Sequence, residues 1–241
     1  MIGRPVTFKG WQKTSLIEYP GRICTVLFTG GCNFRCPYCY NRELVLGYRK
    51  MPDIESEEVI NFLKCNLNLY QAVMVTGGEP TLNRDLPEFL CKVKELELSC
   101  GLESNGSNPD LLRGLLDHEL VDFAVMDIKA PLAIEKYSRA SGVHSSRLLA
   151  RVERSIELIM GSAVEYEFRT TVAPGIINGD DLLAIGRSIK GAKKYVLQQY
   201  VPGEVLNKQL NEDVCLSAEE LLQARDKLAG LVEVCEVRNI Y

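Results

Sequence analysis

The chain has 241 residues, of which 46% are apolar, 25% charged and 7% aromatic, with 19 glycines, 10 prolines and 9 cysteines. This composition excludes disorder, collagen and coiled coil. A chain of this length buries roughly 70–75% of its unfolded surface, so its core is ample without disulfide staples. A net charge of −4 and a pI near 5.4 supply no positive field, so neither nucleic acid nor a membrane surface is an expected partner.

The start of the chain lacks a basic stretch followed by an apolar run, and no window approaches roughly 18 uninterrupted apolar residues. The expected location is cytoplasmic. In that reducing setting a cysteine cluster is more often a metal or catalytic site than a disulfide framework.

From residue 22 onward, β-like runs alternate with helical periods, the pattern of a parallel sheet wrapped by helices. The first run is 23–28. A helix is predicted over 56–70, where Val59, Ile60, Leu63, Leu67 and Tyr70 recur at helical spacing. Strands at 72–75 and 99–103 follow, and then Asn108-Pro109 places a cap and a first-turn proline ahead of Leu112, Leu115 and Leu116. After a strand at 123–128, Leu148, Val152, Ile156 and Ile159 mark a helix ending before Gly161. Strands at 165–171 and 195–199, a capping box at Ser217 to Glu220 and a strand at 232–237 complete the series. Six or seven β/α units fall short of the ~250 residues of an eight-unit barrel, which leaves an incomplete barrel or a doubly wound open sheet. Both put their chemistry at the carboxyl ends of strands. The expected division is an extension over 1–21 and one core domain over 22–241.

Immediately after the first strand comes Gly30-Gly31-Cys32-Asn33-Phe34-Arg35-Cys36-Pro37-Tyr38-Cys39-Tyr40-Asn41. Thiolates at this density favour zinc or an iron–sulfur cluster. Zinc is poorly served, because the nearest further cysteines, Cys24 and Cys65, lie in a strand and a helix, and His118 and His144 are distant in sequence. A four-iron cluster held by three cysteines keeps one iron open to an exogenous ligand.

The Cys-x-x-x-Cys-x-x-Cys spacing, with aromatic Tyr38 before the last cysteine, resembles the signature of radical S-adenosylmethionine (SAM) enzymes. Thr76-Gly77-Gly78-Glu79-Pro80 is similar to that superfamily's GGEP motif, whose backbone groups and acid hold the amino group of SAM. The segment Ser15 to Arg22 resembles the start of glycyl-radical-enzyme activating proteins, most of all those of anaerobic ribonucleoside-triphosphate reductase.

The resemblance implies an incomplete (β/α)6-type TIM barrel with an amino-terminal β extension. It implies a four-iron, four-sulfur cluster on Cys32, Cys36 and Cys39, which are also the catalytic residues, and SAM seated by Tyr38, Gly77, Gly78 and Glu79. Glu103, Ser104 and Asn105 would help seat the methionyl group and, in some relatives, a monovalent cation. Asp127 would contact the methionyl group or that cation, with Lys129 its charge partner. Arg169 would reach the cofactor's ribose or carboxylate, and Gln198 the adenine and ribose, where relatives place a histidine. Glu18 and Asn41 would meet the substrate peptide. The partners implied are a glycyl radical enzyme and a flavodoxin or ferredoxin that supplies one electron, and the product of SAM cleavage is a 5′-deoxyadenosyl radical.

From residues alone, Arg169 reads equally as an ion pair with Glu167 or Glu103. The remaining cysteines, scattered through helices and strands, read as small buried hydrophobes. Two rival functions share parts of the pattern: a radical SAM reaction on a small molecule, such as formation of 7-carboxy-7-deazaguanine, and a non-catalytic zinc-binding scaffold.

Overall fold

The computed structural model describes residues 5–207, 210 and 215–239. Short strands β1 (Thr7–Phe8) and β4 (Ile54–Glu55) pair antiparallel. The main sheet contains β2 (Gly10–Ser15), β3 (Cys24–Thr29), β5 (Ala72–Gly77), β6 (Ser99–Ser104), β7 (Phe123–Asp127), β8 (Glu165–Val172), β9 (Lys194–Gln199) and β10 (Val234–Arg238). Its order is β10-β9-β8-β7-β6-β5-β3-β2. All neighbours from β3 to β10 are parallel, while β2 runs antiparallel on β3. Strand order follows chain order without the reversal that defines a doubly wound sheet, so the architecture is the barrel type. Among the described residues β2 and β10 stay unpaired with each other, and the barrel is incomplete.

Among the described residues seven α-helices accompany the strands: α1 (Ser56–Cys65), α2 (Leu86–Lys94), α3 (Pro109–Asp117), α4 (Ile134–Ser141), α5 (Ser146–Met160), α6 (Gly179–Ser188) and α7 (Ala218–Leu228). Strand side chains alternate between two environments. Leu27, Val73, Val75, Leu102 and Leu197 join Leu63, Leu90, Leu112, Val152 and Leu182 of the helices in the main core. Val26, Met74 and Val125, on the other face, form a smaller cluster with Tyr19, whose ring lies 5.2 Å from that of Phe123.

The helix predicted over 56–70 stops at Cys65, because the Asn66 side chain bonds back to the Phe62 carbonyl at 2.7 Å and the chain turns. Leu67 is left exposed and Tyr70 instead meets Thr14. The caps at Asn108 and Ser217 form as expected. Helix α6, which periodicity did not single out, opens on a capping box of Asn178 and Asp181 that the sequence displays. The amino-terminal extension is part of the same body, since β2 widens the main sheet and Phe8 packs edge-on against Phe89 at 5.0 Å.

Candidate active site

Strand β3 ends at Thr29 and turns through Gly30 and Gly31 into the cysteine loop, with Gly31 in the left-handed region at φ +83. From the next strand, Gly77 adopts φ +114, and a Cβ there would lie 2.4 Å from the Thr29 nitrogen. The Gly78 amide donates to the Thr29 carbonyl and the Glu79 amide to the Gly31 carbonyl, each at 2.8 Å. The two glycines thus bring the two loops against each other as well as bordering the space above them.

That space is a cavity of about 240 Å³ at the carboxyl end of the sheet. Cys32, Cys36, Cys39, Tyr38 and Asn41 line it from the cysteine loop, and Gly77, Gly78 and Glu79 from the end of β5. Glu103, Ser104, Asn105, Asp127, Lys129 and Gln198 close it from the ends of β6, β7 and β9 and the turns that follow β6 and β7. Thr76 and Thr171 also line it, although sequence reasoning did not choose them. Thr171 could have been found, since it shares the face of β8 with Arg169 and is paired in register with Gln198.

Two candidate residues do not reach the cavity. Arg169 lies beneath it and is spent on an ion-pair network, with Nε 2.6 Å from Glu167 Oε1 and a guanidinium nitrogen 3.4 Å from Glu103 Oε1. Glu18 belongs to the loop between β2 and β3, which sits at the amino-terminal end of β3 because Ser15 pairs with Cys24. The cysteine loop leaves the opposite end of that strand, so Glu18 does not line the cavity, although its charge acts on Glu103.

The acid of the GGEP-like motif is buried. Glu79 Oε1 accepts from the Thr81 amide at 3.0 Å, the Thr81 hydroxyl and the Ser104 hydroxyl at 2.8 Å, and Oε2 accepts from the Asn105 amide at 2.7 Å. Burial pushes the carboxyl up, and these donors partly offset it. Glu79 therefore ties the ends of β5 and β6 together. Asn41 donates to the Gly77 carbonyl at 3.1 Å.

Glu103 accepts from Thr76 Oγ1 at 2.8 Å, and its carboxyl is pushed up by burial against the pull of Arg169. Asp127 and Lys129 pair at 2.8 Å. Burial opposes the Lys129 charge, but Asp127, Tyr38 and Cys36 outweigh it and hold the ammonium well above its usual range. The two carboxylates that the resemblance offered to a monovalent cation are thus already matched, one by Arg169 and the other by Lys129.

Burial pushes the Cys32 thiol up to about 11 and the Cys36 thiol up to about 12, with Cys39 also raised. Cys32 Sγ accepts from the Phe34 amide at 3.3 Å and from Asn105 Nδ2 at 3.7 Å. The Tyr38 hydroxyl beside them is buried without a partner. Among the described residues no three His, Cys, Asp or Glu side chains are close enough to hold a single metal ion. Three soft donors around one cavity are a donor set that fits an iron–sulfur cluster.

The profile of the radical SAM superfamily matches residues 26–178. The chain belongs to that superfamily. Its members use a four-iron, four-sulfur cluster and SAM, and here Cys32, Cys36 and Cys39 are the residues that would hold the cluster. A Methanocaldococcus jannaschii protein whose name proposes a glycyl-radical enzyme activating enzyme is 27% identical, covering 82% of this chain and 81% of its own length. A 7-carboxy-7-deazaguanine synthase of Thermococcus kodakarensis is 25% identical, covering 76% of each chain. Among solved structures, TYW1 with a lysine-pyruvate adduct bound superposes with a TM-score of 0.59 at 17% identity, covering 85% of this chain and 72% of that one, which speaks to the fold alone.

Proposed function

We propose that this radical SAM enzyme is an activating enzyme that abstracts the α-hydrogen of a glycine in a glycyl radical enzyme, an anaerobic ribonucleoside-triphosphate reductase being the favoured target. When bound, the cluster and SAM supply reductive cleavage to methionine and a 5′-deoxyadenosyl radical. The likeness to the Methanocaldococcus protein, spread over four fifths of both chains, carries the reading. Exposed Tyr40 lines the cavity and offers an aromatic edge against which a partner's loop can lie.

The chain's own residues have defined tasks in this reading. Cys32, Cys36 and Cys39 grip the cluster, and the joined loops at Gly31 and Gly78 hold that grip in place. Gly77, Gly78, Ser104, Asn105, Asp127 and Gln198 surround SAM, and Lys129 orients Asp127 through their 2.8 Å ion pair. Walls built by Phe34, Tyr38 and Val45 keep water from a radical that attacks nearby C–H bonds. A flavodoxin or ferredoxin supplies the electron, in a cytoplasmic setting; no helix among the described residues is long and apolar enough to cross a membrane.

The deazaguanine synthase likeness favours a second reading, a small-molecule substrate in the same cavity. Anaerobic incubation with reductant and SAM, adding either a candidate reductase or a candidate pterin, separates the two. Paramagnetic resonance showing a glycyl doublet on the reductase supports activation. Deoxyadenosine formation accelerated only by the pterin assigns the second reading.

A further inference from the structure

Asn105 directly follows β6 and is buried, with 6% of its surface exposed. The turn that carries it is pinned from three sides. The Asn105 amide donates to Glu79 Oε2 at 2.7 Å, and the Ser155 hydroxyl of α5 donates to the Gly106 carbonyl at 2.7 Å. Gly106 adopts φ +73, and a Cβ there would stand 2.0 Å from Met126 Cε. The Asn105 side chain therefore leaves a fixed backbone.

The Ser107 amide donates to Asn105 Oδ1 at 2.9 Å. An amide N–H can only donate, so the Asn105 oxygen faces Ser107 and its NH2 faces the cysteine loop. There Nδ2 donates to Asn33 Oδ1 at 3.0 Å and to Cys32 Sγ at 3.7 Å, while Asn33 Nδ2 donates to Ser107 Oγ at 2.8 Å. Both hydrogens of the Asn105 amide are committed in this ring. The triplet also receives backbone amides, of Phe34 on Cys32 and of Asn41 on Cys39. Asn105 differs from these in coming from a separate strand end. The family resemblance gave it to the methionyl group, yet its donors point to a thiol.

We infer that Asn105 is a positioning residue for Cys32, and that its N–H···S bond raises the reduction potential of the cluster. The inference rests on Cys32 being a cluster ligand. A donor to a ligand sulfur stabilises added negative charge, so it favours the form that has gained one electron. Removing that donor makes reduction harder.

The test titrates reconstituted, SAM-free protein anaerobically with dithionite and redox mediators, and reads the midpoint by paramagnetic resonance. Asn105→Leu keeps the approximate volume and removes the donor. A loss on the order of tenfold in the one-electron reduction equilibrium is expected, about 59 mV toward negative potential. Asn105→Asp keeps the acceptor that the Ser107 amide needs and removes the NH2, so it should shift the potential in the same direction even if the Leu variant holds too little iron to titrate. Asn33→Ala removes the neighbouring partner and leaves the donor on sulfur, so its potential should stay near the wild-type value. Unchanged potentials in both Asn105 variants overturn the inference, as does an equal shift in Asn33→Ala. Weaker SAM binding by calorimetry beside an unchanged potential returns Asn105 to the methionyl contact. A wild-type protein that takes up no iron removes Cys32 as a ligand, whereas a titratable wild-type cluster beside unshifted variants removes the role of Asn105 alone.

Discussion

Gly78 and Gly31 meet backbone to backbone, and a Cβ on Gly78 would stand 2.0 Å from the Gly31 carbonyl oxygen. Gly78→Ala must therefore push the cysteine loop off the end of β5. The expected cost is about 1–3 kcal/mol, together with lower iron retention after reconstitution. Gly114→Ala in α3 is the matched control, since its Cβ meets nothing within 4 Å, and it should gain about 0.5–1 kcal/mol from helix propensity. Urea unfolding and iron analysis of both variants check the contrast.

The buried carboxylate of Glu79 accepts from four protein donors. Glu79→Gln replaces an acceptor oxygen with an NH2 that faces N–H and O–H groups, so donors confront donors. A loss of about 1.5–3 kcal/mol in urea unfolding is expected. A stability equal to wild type would show that Glu79 does not join the two strand ends.

Stability should fall in acid through Glu167. Burial raises this carboxyl, but Arg238 and Arg169 outweigh that and hold it below its ordinary value. Because the folded pKa is depressed, its contribution is complete above the unfolded value near pH ~4.3 and disappears as pH drops through the folded value. Arg238→Ala removes two 2.8 Å bonds to Glu167, costs about 2 kcal/mol at neutral pH and flattens this acid limb. Thermal melts between neutral pH and about pH 3 measure both effects.

Cys36→Ala should abolish the brown visible absorbance of the reconstituted protein, its SAM cleavage and any glycyl radical signal. Cys65→Ser, at an exposed position outside the cavity, should leave all three unchanged. Equal iron content in the two variants would remove Cys36 from the cluster.

By itself the sequence determined the parallel β/α alternation, since apolar period and capping residues are local properties, and it determined the three cysteines and the Gly-Gly-Glu segment, since these are contiguous along the chain. Asn108, Ser217 and the runs at 72–75 and 123–128 were legible for that reason. The barrel type was not, because strand order is a relation between distant segments. Nor were the fates of individual polar residues legible: periodicity puts Glu167 and Arg169 on one face of β8, but only packing decides that Arg238 from the last strand joins them and that Arg169 stays beneath the cavity. Glu18 lies close to the cysteines in sequence, yet it does not line the cavity that they share. The burial that makes Glu79 a fastening between two strands exists only once the chain has folded.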